Sequence, residues 1–237
     1  MAPNEIYQYS LVNALMSGVS DSGITAAQLA EKGNQGLGTF VHMDGELLLL
    51  DGTVYQLQAE GKIRVASPTD QIPYAVSTHF EPQQTVTGAA ARLESKEAID
   101  AVLERHTHHA GNLFMAYRVD GQFRRLKCRT VQGQEYEGQP LAELGKKQFV
   151  AEYSDVEGTI VGFRSPQAWQ GFFVAGEHMH FIDKDRNVGG HVLELEADHV
   201  RIGIATINNI HIQLPTSDQF NAAVMSTDDV GLKSVEG

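Results

Sequence analysis

The sequence predicts a mixed α/β fold in two subdomains. Residues 1–145 would form a mixed β-sheet with helices, and residues 146–237 a mostly β, barrel-like half. Three observations carry that expectation. Apolar residues recur at helical spacing near the start of the chain and again at 95–104. Glycine is frequent, at 23 of 237 residues, which favours turns and strands over a helix bundle. Beyond residue 147 the chain is a succession of short apolar stretches separated by turn residues. The length suits one large domain or two small ones and can bury a substantial core.

In order along the chain, Tyr7, Leu11, Leu15 and Met16 recur at helical spacing with Gly18 as a stop. Residues 24–31 predict a second short helix ending at Gly33. From Gly38 the pattern becomes strand, turn, strand, punctuated by Asp44-Gly45 and Asp51-Gly52. Residues 62–90 continue as short strands broken by Pro68, Pro73 and Pro82. The segment 95–104 predicts a helix capped by Ser95, with Ala98, Ile99, Val102 and Leu103 as its apolar stripe. Strands are predicted at 113–119 and 123–131, and the polar stretch 132–147 reads as a linker or edge connection. Strands follow at 158–163, 171–181, 189–195 and 200–214.

Charge narrows the function classes. Eighteen Lys plus Arg against 30 Asp plus Glu give a formal net charge of −12. The main cationic cluster is Arg124, Arg125, Lys127 and Arg129, so neither nucleic acid nor an anionic membrane is an expected partner. Cys128 is the single cysteine, which rules out an internal disulfide and a cysteine-based zinc site within one chain. The aliphatic run at 47–50 is far too short to span a bilayer. The first ten residues are polar and lack a signal-like apolar run, so the expected compartment is the cytoplasm.

The ten histidines are unevenly spread. His42, His79, His199 and His211 stand singly and read as ordinary surface or hydrogen-bonded residues. The run His106-Thr107-His108-His109 ends the predicted 95–104 helix, where the helix dipole favours histidine. A local structural or cavity-lining role is preferred there over a second metal site. His178-Met179-His180, followed after ten residues by His191, is different. Residues two apart on a strand share a face, so His178 and His180 project together. A four-residue hairpin loop at 184–187 sets Asp183 against Val188 and, counting back, His180 against His191. Cross-strand neighbours have Cβ atoms roughly 5 Å apart, so three imidazoles converge on one patch. Neutral imidazoles suit zinc and other late divalent metals, and three nitrogens leave positions open for water or substrate.

The segments GTFVHMDGELLLLDGTVYQL, HTHHAGNLFMAYRVDGQF and KCRT, the 162–195 stretch containing HMH and the following His, and LPTSDQF together resemble the α-acetolactate decarboxylases. The resemblance runs from about Leu11 to Phe220. It implies a two-domain, usually dimeric α/β enzyme with zinc held by His178, His180 and His191. It further implies Glu46 at the site, Arg129 in the cavity, Thr39 lining the pocket, and a second Glu from the tail, for which this chain offers Glu236. The implied reaction is metal-dependent decarboxylation of α-acetolactate, a small anionic substrate, to (R)-acetoin. Without the resemblance, Glu46 reads as a solvated turn residue and Arg129 as a surface cation. Which Glu returns the proton, and which divalent metal is used, stay open. Two rivals are a cupin-like metalloenzyme and a non-catalytic metal- or ligand-binding protein of the same architecture. The cupin pattern expects a Glu soon after the second His, where this chain has Lys184 and Asp185. The overall negative charge still permits an anionic substrate, because a divalent metal and Arg129 would supply local positive charge, partly offset by Glu46 and Glu236. Net charge then acts on long-range approach, which salt screens beyond roughly 8 Å.

Overall fold

The computed structural model describes residues 1–107 and 110–225. Their strands form two main sheets and one two-stranded ribbon. The first sheet runs, in space, Ile210–Gln213, Ile6–Tyr9, Tyr74–Thr78, Gln35–Thr39, Glu46–Leu50, Thr53–Leu57 and Ile63–Val65. It is mixed because Ile6–Tyr9 lies parallel to Ile210–Gln213 and antiparallel to Tyr74–Thr78. The tight hairpin between Glu46–Leu50 and Thr53–Leu57 follows from Asp51-Gly52. Both residues take positive φ, 51° and 79°, as a two-residue turn of the right twist demands.

The second sheet is built from four antiparallel strands: Phe114–Thr130, Phe149–Ser165, Gly176–Asp183 and Gly189–Ile207. Phe114–Thr130 pairs with Phe149–Ser165 on one side and with Gly189–Ile207 on the other, so the four close into a barrel. Gln84–Val86 pairs with the far end of Gly189–Ile207. The barrel interior is filled by Tyr117, Phe123, Met179, Phe181, Val192 and Ile202, with the helix Glu97–His106 contributing Ile99, Val102 and Leu103. Tyr117 fits because its ring occupies the space a Cβ at Gly162 would need.

A second core lies between the sheets. Leu37, Leu48, Leu50 and Val76 of the first sheet meet Phe114, Ala116, Phe163, Ile182 and Ile207 of the barrel. The far face of the first sheet buries Tyr7, Leu47, Leu49 and Ala75 against Leu29 of the helix Ala26–Ala30. That helix starts on a capping box made by Thr25 and Gln28.

The mixed α/β class and the barrel-like half agree with the sequence expectation, and several elements differ from it. Residues 6–9 form a strand rather than the start of a helix, and only Val12–Met16 is helical. All four residues of that strand are buried, and burial on both faces erases the alternation that identifies a strand. The segments 113–119 and 123–131 are one strand, as are 189–195 and the first part of 200–214. Register shifts near Phe123 and between Lys127 and Cys128 break their periodicity. The third helix begins at Glu97 without a side-chain cap from the residue before it. The sheets cross the expected boundary at 145/146: Phe114–Thr130 lies in the barrel, and Ile210–Gln213 returns to the first sheet.

Candidate active site

Strand alternation assembles the site between the two sheets. On Gly176–Asp183, Met179 and Phe181 point into the barrel, which sends His178 and His180 outward. On Gly189–Ile207, Val192 points inward and His191 outward. Cys128 fills the barrel, so Arg129 faces the first sheet. On Glu46–Leu50, Leu48 and Leu50 face the barrel, and Glu46 shares their side.

The hairpin loop at 184–187 gives the register that its length requires. Asp183 N–H donates to the Val188 carbonyl at 2.9 Å, and His180 stands opposite His191. The Asp183 carboxylate fixes the loop by accepting from the backbone N–H groups of Asn187 at 2.6 Å and Val188 at 2.8 Å. Gly190 permits the last step toward His191. Its φ is 151°, and a Cβ there would lie 2.6 Å from the Arg129 carbonyl. One ligand nitrogen from each of His178, His180 and His191 lies within 4.8 Å of the others, and all three residues are buried. This triad could hold a metal ion, and among the described residues it is the one such group.

The imidazoles have the chemistry a metal requires. His180 Nδ1 donates to the Leu47 carbonyl at 2.7 Å, so in the neutral ring Nε2 carries the lone pair. That nitrogen is buried, makes no hydrogen bond among the described residues, and faces a Glu46 carboxylate oxygen at 3.5 Å. Two acceptors facing each other across a buried gap are an arrangement that a cation satisfies. Burial pushes His180 down to about 3, against the pull of the Leu47 carbonyl, and the Arg129 charge adds to the lowering. Burial also holds His178 and His191 well below the ordinary imidazole range, with neighbouring imidazoles and Arg129 contributing.

Arg129 is 2% exposed, although it belongs to the cationic run. Its run-mates stay at the surface and pair with acids: Arg124 with Glu196 and Asp198, Arg125 and Lys127 with Glu194. Arg129 instead donates to Glu46 at 2.9 Å inside the protein. A small cavity of about 20 Å³ brings Thr39, Glu46, Arg129 and His178 to one space, with Tyr74 and an apolar wall around them. Thr39 donates its hydroxyl to the Gly45 carbonyl at 2.8 Å, which braces the turn leading into Glu46. The structure thus gathers every described residue that the sequence pointed to. Glu236, His108 and His109 lie outside the described residues. His106 Nδ1 sits 2.8 Å from the Val102 carbonyl one turn back, a local bond at the helix end.

A larger cleft of about 680 Å³ opens nearby, lined in part by Lys96, Asp100, Arg164 and Glu177. Burial pushes the Glu177 carboxyl up to about 8. Its side chain leaves the strand on the opposite face from His178, so Glu177 stands apart from the histidine triad and the smaller cavity. The sequence marked none of the apolar lining residues Val12, Leu15, Met43, Val131, Leu141 and Val174 as facing the site, Leu15 standing out only by its helical spacing. Beyond that, their only signal was hydrophobicity, which they share with the rest of the core.

Comparison with known proteins adds the family. Residues 6–227 match the alpha-acetolactate decarboxylase family. The chain belongs to that family. The alpha-acetolactate decarboxylase of Klebsiella aerogenes is 39% identical over 235 residues, 98% of this chain and 88% of that protein. The Bacillus licheniformis alpha-acetolactate decarboxylase is 35% identical over 99% of this chain and 92% of its own length. The crystal structure of alpha-acetolactate decarboxylase from Bacillus subtilis strain 168 superposes with a TM-score of 0.91 at 32% identity, covering 98% of this chain and 99% of that one. No helix among the described residues is long and apolar enough to cross a membrane.

For this member of the alpha-acetolactate decarboxylase family, the depressed imidazoles imply a pH dependence of the metal-free protein. A histidine with an ordinary pKa near 6.5 when unfolded and a lower one when folded takes up its proton on unfolding. Stability is therefore full above about pH 6.5 and falls as the pH drops toward the folded value, which for His180 is about 3. Thermal unfolding of the metal-stripped protein from about pH 7 to about pH 5 checks this. A midpoint that stays level across that window would contradict neutral buried imidazoles.

Proposed function

We propose that the protein decarboxylates α-acetolactate to (R)-acetoin using one divalent transition metal, zinc first among them, held by His178, His180 and His191. The observation that carries this reading is the convergence of three buried imidazoles, Arg129 and Glu46 between the sheets of a chain from this family. The proposed assembly is a homodimer in the cytoplasm.

The substrate carries a carboxylate, a hydroxyl and a ketone on neighbouring carbons. Loss of carbon dioxide leaves an electron pair that spreads onto the ketone oxygen as an enediolate, and the barrier is the energy of that charge. A divalent metal, when bound, supplies Lewis-acid stabilisation of the developing oxyanion. The remaining tasks fall to side chains of this chain. The planar fork of Arg129 orients the carboxylate by charge-assisted hydrogen bonds. Glu46, the carboxylate whose Oε1 accepts from Arg129, would take up a proton from solvent and pass it to one face of the enediolate, and so set the hand of the product. Glu236 is the second carboxylate in this reading. Thr39 lines the space and holds the Glu46 turn. The apolar lining excludes water, which strengthens each of these electrostatic contacts.

Glu46→Gln keeps the shape and removes the carboxylate that would relay the proton. Acetoin formation is expected to fall by about 10²–10⁴-fold, the usual contribution of a general acid. Bound metal is expected to stay at the unmodified level by elemental analysis, because the three imidazoles are untouched. Unchanged turnover in that variant would remove Glu46 from the proton step.

A further inference from the structure

We propose that Leu141 sets the size of alkyl group the site accepts at the carbinol carbon of its substrate. This inference rests on the decarboxylase reading. Leu141 is 5% exposed and lines the same cavity as Glu46, Arg129 and His178. It opens a single-turn helix, Leu141–Leu144, inside the stretch whose polar composition suggested a linker. With the polar groups of a 2-alkyl-2-hydroxy-3-oxo acid held by Arg129 and the imidazoles, its alkyl group must lie against the apolar wall of the cavity. Leu141, Val12 and Leu15 are part of that wall, carried by two short neighbouring helices.

The segment leading into Leu141 is held by hydrogen bonds that do not involve the Leu141 side chain. Gln134 N–H donates to the His42 carbonyl at 2.7 Å, and the Gln134 amide donates to the Gly18 and Gln139 carbonyls, each at 2.9 Å. Glu135 N–H donates to the Gln139 side chain at 2.8 Å. Gly18 and Gly138 approach so closely that a Cβ at Gly18 would fall on the Gly138 carbonyl. Removing the isopropyl group of Leu141 therefore opens space rather than letting the wall collapse. Leu144, one turn on, is equally buried but does not line the cavity, which makes it the control for packing loss.

The test is the ratio of kcat/KM for substrates bearing propyl and methyl at the carbinol carbon, read as carbon dioxide release by the metal-loaded enzyme. Leu141→Ala is expected to raise the propyl-to-methyl ratio by about tenfold or more, the usual discrimination per methylene in an apolar pocket. Leu144→Ala is expected to leave the ratio at its unmodified value. If Leu141→Ala does not fold, Leu141→Val with the ethyl homologue reads the same effect at a smaller step. An unchanged ratio in a folded, active Leu141 variant would overturn the inference. Absence of carbon dioxide release from the methyl substrate by the unmodified enzyme would overturn the inference together with the decarboxylase reading beneath it.

Discussion

His180→Ala is expected to abolish bound metal and acetoin formation together while leaving a folded protein. Its Nδ1 is committed to the Leu47 carbonyl, so Nε2 is the nitrogen that faces the site and Glu46. Partners one bond removed from a metal typically contribute 10–100-fold to affinity, so loss of a direct ligand should cost more than about 100-fold. The substitution also empties a fully buried position, at a stability cost of order 2–5 kcal/mol. Circular dichroism and thermal unfolding separate that packing loss from metal loss, because only the latter appears in the elemental analysis. His106→Ala is the control: that ring is bonded to the Val102 carbonyl at a helix end, and its removal should leave metal content unchanged. Metal retained at full stoichiometry in His180→Ala would break the proposed ligand set.

Arg129→Met is expected to destabilise the protein by about 3–5 kcal/mol as well as to inactivate it. Glu46 is 6% exposed, and its carboxylate loses the buried guanidinium that donates to it at 2.9 Å. Removing one member of such a pair leaves the other charge inside the protein with reduced compensation, the costly half of a buried ion pair. At this chain length the cost corresponds to a fall in melting temperature on the order of 10 °C. Adding Glu46→Gln to Arg129→Met should restore much of the stability and none of the activity, since it removes the stranded charge but not the need for a carboxylate clamp. A single variant as stable as the parent would contradict the burial of this pair, and recovery of turnover in the double variant would contradict the role of Arg129.

The parts of the molecule that were legible in the sequence are those fixed by local geometry. The convergence of His178, His180 and His191 needs only strand alternation and a hairpin loop of known length, and the pairing of His180 with His191 follows from them. The Asp51-Gly52 turn was readable for the same reason. Residues whose meaning depends on tertiary contact were not. Arg129 sits in a run of cations, and nothing local distinguishes the one that turns inward from those that pair with Glu194 and Glu196 at the surface. Glu46 looks like a turn residue until the barrel is placed over it, and the resemblance, not the spacing, pointed to both. Ile6–Tyr9 misled because a strand buried on both faces shows no alternation. Bulges interrupt the period of the long barrel strands, so the sequence shows each as separate segments. Leu141 was invisible for the opposite reason: an apolar turn within a polar connection carries no mark of the cavity it lines.

The deciding measurement is acetoin formed from α-acetolactate by the protein as isolated, after complete metal removal, and after zinc is restored, with metal counted per chain in each state. Acetoin well above the spontaneous rate, lost on stripping and recovered at one metal per chain, is the predicted result. Formation that never exceeds the spontaneous rate, or that persists undiminished once the metal is gone, would contradict a metal-dependent decarboxylase built on His178, His180 and His191.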